Sequence, residues 1–167
     1  ETVVKRQLSA DPFEKDDISV GQRVAIFGTL TNDTPLSLEM DASEGAVRML
    51  LTTLRGTAVA VDEQDATAQL TMNLQSINHR PIGIFDFAGT GIDGANDADP
   101  ESYQVGTGTL NLSPLHVDGP VKVRGFVEPF GQAPPDFAAK TIVTIDEVRA
   151  LMKVDWQPPT GEAFSPL

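Results

Sequence analysis

Ala68-Gln69-Leu70-Thr71-Met72-Asn73-Leu74-Gln75 places Ala68, Leu70, Met72 and Leu74 at alternate positions, with Gln69, Thr71, Asn73 and Gln75 between them. Successive side chains of a strand leave opposite faces, so this two-residue period predicts a strand with one face in a core and one in water, as in an antiparallel sheet. Val24, Ile26 and Leu30 keep the same rhythm around Gly28, as do Val121, Val123 and Val127 around Gly125. Phe137, Ala139, Thr141, Val143 and Ile145 predict another strand, and Met152, Val154 and Trp156 a last one, stopped by Pro158 and Pro159. Between these runs lie Asn32-Asp33, Asp62-Glu63-Gln64-Asp65, Asp118-Gly119-Pro120 and Gly131 to Asp136, all turn-forming in composition. Short strands joined by such turns imply an all-β barrel or sandwich.

Helix has little room in this pattern. Ser43 would cap a helical run with Val47, Leu50, Leu51 and Leu54 at helical spacing, ended by Gly56. The same residues read as strand with Val47, Met49 and Leu51 on one face, and the β character of their neighbours favours that reading. Asp146 to Leu151 reads as a single helical turn.

The chain has 167 residues, 40% of them apolar, enough for a core without staples. Twenty-four acids against twelve bases give a net charge of -12, which makes nucleic acid and anionic membrane surfaces poor partners. No apolar run is long enough to span a bilayer. The chain holds no cysteine, which removes disulfides, thiol catalysis and thiolate metal sites. It starts at Glu1 without a signal peptide, as expected of a processed or excised chain.

Val20-Gly21-Gln22-Arg23-Val24-Ala25-Ile26-Phe27-Gly28-Thr29-Leu30 aligns without gaps on Val117-Asp118-Gly119-Pro120-Val121-Lys122-Val123-Arg124-Gly125-Phe126-Val127. Each copy has a turn, two branched residues, a glycine and an aliphatic in register. The shared glycine predicts a bulge where a small barrel bends. Leu38 to Ala42 and Phe137 to Thr141 read as the two return strands. The organisation expected is an N-terminal strand and linker (1–17), a first, partial β repeat (18–53), a more complete barrel module (54–146) with an insert at 78–108, and a final strand with a Pro-rich tail (147–167). If the repeat holds, Val24, Ile26, Val121 and Val123 are buried, while Arg23, Ala25, Lys122 and Arg124 face out.

The run Val20 to Leu30 resembles a signature of small OB-like barrels in bacterial exported proteins and lipoproteins, a domain family of unknown function. Leu54-Arg55-Gly56-Thr57-Ala58-Val59-Ala60-Val61-Asp62 is similar to that family's opening strand, and Gly119 to Gly125 and Ala139 to Ile142 to its closing strands. The resemblance implies an antiparallel OB-like fold built from related half-barrel repeats, with at most short helical turns. It further implies an extracellular, periplasmic or cell-surface location. It carries no catalytic residue.

Among polar clusters, Gly91 to Glu101 is richest: Asp93, Asn96, Asp97, Asp99 and Glu101 are hard oxygen donors suited to Ca²⁺, the only cofactor the sequence suggests. The EF-hand spacing fails, since the loop from Asp97 has Ser102 at its sixth position and Gly108 at its twelfth. The plainer expectation is a solvated loop of Asx turns. His79 and His116 are the only histidines, so a three-histidine zinc site is impossible, and both read as turn residues. Ser76 and Ser113 lack a nucleophile elbow, and Gly106-Thr107-Gly108 lacks the remainder of a phosphate loop. Phe85, Phe87, Tyr103, Phe126, Phe130 and Phe137 would form a sugar-binding face or a core, and at 6% aromatic content the core claims most of them.

These residues point to a non-enzymatic structural or assembly subunit, a homo-oligomer or one chain of a larger assembly, with a filament as one form. A calcium- or carbohydrate-binding module is the alternative. Thr2 to Leu8 reads as a strand without a nearby hairpin partner, expected to pair with the sheet edge of a neighbouring copy.

Overall fold

The computed structural model describes residues 2–34 and 37–145. Among these residues nine strands follow in chain order: β1 (Val3–Arg6), β2 (Val24–Thr34), β3 (Ser37–Met49), β4 (Thr52–Val61), β5 (Leu70–Ile77), β6 (Arg80–Pro81), β7 (Tyr103–Gly106), β8 (Pro120–Val127) and β9 (Phe137–Thr144). Among the described residues helix is confined to two 3-10 turns, Lys15–Asp17 and Ile82–Ile84. No helix among the described residues is long and apolar enough to cross a membrane. The run from Ser43 is strand up to Met49, and the next begins at Thr52. The helical turn expected at 146–151, the strand through Trp156 and the Pro-rich tail lie outside the described residues.

Five strands form a partly closed ring, each hydrogen-bonded to the next: β4, β5, β7, β9, β8 and back to β4. Counted in chain order the ring reads 1-2-3-5-4, with its third and fifth strands parallel, the arrangement of an OB-like Greek-key barrel. The closure between β7 and β9 is narrow: Val105 faces Phe137 and Gly106 faces Ala138. Alternation drives this shape. Leu70, Met72, Leu74 and Ile77 of β5 point inward with Leu54, Val105, Val121, Val123 and Phe137, all buried. Each such side chain contributes about 1.5–3 kcal/mol by leaving water. The stretch 78–108 contains β7, so it supplies one of the ring's five strands.

A one-residue bulge alters the expected face of β9. Gly125 pairs with Ala139 but Arg124 with Thr141, so the extra residue, Lys140, flips the register. Phe137 is therefore buried whereas Val143 is exposed, and Ile142 takes the inward place beside Val123. Gly125 sits where a Cβ would run into the Ala138 carbonyl, and Gly28 where one would run into the Asp41 carbonyl. Both glycines of the repeat thus mark irregular pairing in a hairpin, β8–β9 and β2–β3 respectively.

The second sheet, in the order β1-β3-β2, changes two expectations. β1 pairs in parallel with β3, Val4 opposite Val47, so its partner belongs to its own chain rather than to a neighbour. That partner lies some forty residues away in sequence, beyond the reach of any hairpin signal. Ile26, expected in a core, is 47% exposed, and Val24 is half-buried. The alternation there is real, but the ring is completed without β2, and only the base of the hairpin reaches a core. From 29 to 41 no described residue is buried, so β2 and β3 extend as an arm.

Gln22 fastens this sheet to the barrel. Its Nε2 donates to the carbonyls of Arg23 (2.8 Å) and Leu50 (2.7 Å), and its Oε1 accepts from the Val127 amide (3.1 Å). The buried Thr52 hydroxyl accepts from the Arg23 amide at 2.8 Å. The Arg6 guanidinium lies 4.3 Å from the Phe13 ring centre and 5.2 Å from that of Phe126.

Candidate functional site

β5 ends in a two-residue turn, Asn78-His79, before β6, with Ile77 paired to Arg80. Both turn residues have positive φ, 49° and 67°, as a tight hairpin of this twist requires. Asn78 fixes the turn against β4: its amide donates to the Thr53 carbonyl (2.8 Å) and its Oδ1 accepts from the Thr53 amide (3.0 Å). The turn, the base of the arm and β4 surround an open cleft of about 590 Å³. Arg23, Thr53, Asn78, His79, Arg80 and Phe85 line it. Arg23, His79 and Arg80 are exposed.

The cleft continues into a row of cations. On the outer face of the ring Arg124 of β8 lies opposite Thr53, and Lys122 lies opposite Arg55 of β4. Lys122 and Arg124 alternate with the buried Val121 and Val123, as the repeat predicted. Like charges facing each other across strands repel, and the Arg55 Nε is buried without a hydrogen-bond acceptor. Among the described residues, none of Arg23, Arg55, Arg80, Lys122 and Arg124 forms an ion pair. The sequence signal for this row was Lys122-Val123-Arg124; Arg55 joins it only through the β4–β8 register.

The acidic loop is organised by its own backbone. Asp93 Oδ1 accepts from the amides of Ala95 (3.0 Å) and Asn96 (3.1 Å) and from Asn96 Nδ2 (2.7 Å). Asp97 Oδ1 accepts from the Gly91 amide at 3.0 Å, and hydrogen bonds from the 89–91 backbone hold its carboxyl below the usual range. Asp99 receives the Glu101 amide on Oδ1 (2.9 Å) and the Ser102 hydroxyl on Oδ2 (2.9 Å). These are Asx turns. Among the described residues no three His, Asp or Glu side chains form a group able to hold a metal ion. The loop is tied down where Ala98 donates to Thr90 Oγ1 (2.9 Å) and Leu74 to the Pro100 carbonyl (2.7 Å).

Under that loop lies a small cavity bounded by Ser19, Phe87, Thr90, Tyr103, Glu128 and Asp136, among others. Asp136 is buried, and burial pushes its carboxyl up to about 6 despite a 2.6 Å hydrogen bond from the Gln104 amide to Oδ2. Burial also raises Glu128, against the pull of Arg6 and Lys140. Burial, then the charges of Asp136 and Glu128, hold the Tyr103 hydroxyl protonated. Composition and periodicity carried no signal for this acidic pair. Of the six aromatics considered for a binding face, Phe87, Tyr103, Phe126 and Phe137 are buried, Phe85 packs against the core, and Phe130 is exposed. His116 Nδ1 lies 3.0 Å from the Val117 carbonyl oxygen, in the turn before β8.

The fold and surface define an OB-like β-barrel carrying a projecting β-arm and a cationic outer face. Comparison with protein-family models, curated proteins and solved structures finds no match to this chain.

Proposed function

We propose that this protein is a non-enzymatic structural subunit that assembles through its β2–β3 arm with further copies of itself, in an exported, extracellular or cell-surface setting. One observation carries the reading: the arm is built to be covered. On one face Leu30 pairs with Met40, and Leu38 follows two residues before Met40. All three are exposed, Leu38 at 70%, although burying each would contribute about 1.5–3 kcal/mol. Among the described residues β2 is also an edge strand, with one side of its backbone unpaired, the kind of template that another chain extends. The ring order of β4 to β9 supports the resemblance to exported OB-like barrels, and a net charge of -12 without cysteine suits that setting.

Light scattering over a concentration series tests this reading. The full chain should form oligomers, and a variant with residues 30–40 replaced by an Asn-Gly turn should be monomeric with its barrel intact. A full chain that stays monomeric at millimolar concentration refutes the proposal.

A further inference from the structure

The arm has a second face. Pairing of Thr29 with Asp41 and of Asn32 with Glu39 places Glu39 and Asp41 together, opposite to Leu38 and Met40. Residues 24–47 hold four acids, Asp33, Glu39, Asp41 and Glu44, and no Lys or Arg. A hydrogen bond from Ser43 holds the Asp41 carboxyl low, so it stays charged at neutral pH. The barrel shows the reverse. Lys122 and Arg124 stand two residues apart on the outer face of β8, flanked by Arg55 and by the exposed Val143 opposite Lys122. Among the described residues Glu39 and Asp41 form no ion pair with Lys122 or Arg124, and β2 and β3 pair within the β1-β3-β2 sheet.

Resting on the assembly reading above, we propose that the acidic face of one copy's arm docks on the cationic outer face of a second copy's barrel, Glu39 and Asp41 against Lys122 and Arg124. Spacing supports the match as well as sign. Both pairs sit at alternate positions of a strand, so each spans about 6.6–6.8 Å, twice the rise per residue. A strand laid along β8 can therefore meet both cations at once. Screening limits long-range repulsion between two acidic molecules to about 8 Å at physiological salt, while contacting pairs are screened less. The contact joins unlike surfaces, so it repeats head to tail and builds an open filament unless its rotation closes a ring.

Paired charge reversals test the assignment. K122E/R124E and E39K/D41K should each be monomeric where the full chain assembles, since each sets like charges against each other. Mixed in equal amounts they should recover oligomers, because every arm then meets a barrel of opposite sign. The milder variants E39Q/D41N, which keep the side chains' size, and K122Q/R124Q, which remove both cations, should each raise the concentration needed for assembly about tenfold. Recovery in the mixture supports the assignment. Arm-dependent assembly of the full chain without recovery overturns it and leaves the assembly reading standing, whereas a monomeric full chain removes both. Dextran sulfate bound by a monomeric full chain, and lost in K122E/R124E, would make the cationic face a polyanion site instead.

Discussion

Gly125 and Gly28 hold equivalent places in two hairpins, yet their replacement should have unequal effects. At Gly125 a Cβ meets the Ala138 carbonyl and the Phe137 ring inside the barrel, where backbone cannot give way. At Gly28 it meets only the Asp41–Ala42 backbone of the arm. Gly125→Ala should lower Tm by many degrees, whereas Gly28→Ala should alter assembly with little change in Tm, both measured by thermal melting and light scattering. Val123 and Lys122 are neighbours on opposite faces of β8, one buried and one half-buried. Val123→Asp should cost several kcal/mol in denaturant melts, since it buries an unpaired charge. Lys122→Asp should be nearly silent for folding, because it removes a repulsion from Arg55. Equal losses at both would contradict the register. In the 91–101 loop Asp93, Asp97 and Asp99 already accept hydrogen bonds from neighbouring backbone amides. Calcium titration should therefore leave Tm unchanged; a rise of several degrees would establish a calcium site there.

At the scale of elements, the arm depends on its fastening. Gln22 satisfies two carbonyls and one amide between the sheets. Gln22→Ala leaves the buried Val127 amide without its acceptor, at about 1–3 kcal/mol. Amide exchange should then quicken at Val127 and through β1 and β3, while β5 stays protected; uniform loss of protection would show that the sheets unfold as one unit. The strands themselves were legible, because half-burial writes a two-residue period into β5 and β8. The bulge in β9 was not, since a one-residue slip reverses every later side chain and leaves no mark in composition. The β1–β3 pairing was hidden for another reason: parallel partners distant in sequence share no turn to announce them.

For the whole molecule the pH dependence of stability follows from two opposed sets of carboxylates. Asp136 has a folded pKa of about 6 against an ordinary 3.8, so the folded state binds the extra proton. Its favourable contribution is complete below the ordinary value and is lost as pH rises through about 6. Asp41, Asp65 and Asp97 are shifted down, so their contribution is present above 3.8 and lost only in stronger acid. Tm should therefore peak near pH 4, at about the ordinary carboxyl value, and fall as pH rises from there through about 6. Asp136→Asn retains an acceptor for the Gln104 amide, and it should flatten the fall between about pH 4 and about 6. Parallel profiles for the two proteins would assign that fall to net charge rather than to Asp136.

Alternation, turn composition and the Val20/Val117 repeat sufficed for an all-β barrel, for the inward Val121 and Val123, and for glycines at irregular pairing, because these features are local. The row of Arg55, Lys122 and Arg124, the buried Asp136 and the exposed face of Leu30, Leu38 and Met40 depend on which strands become neighbours. An apolar period shows that a strand has a face to bury, but not whether its own chain covers it. In β5 the ring covers that face; in the outer half of β2 and β3 nothing in the described chain does, because five other strands already complete the barrel.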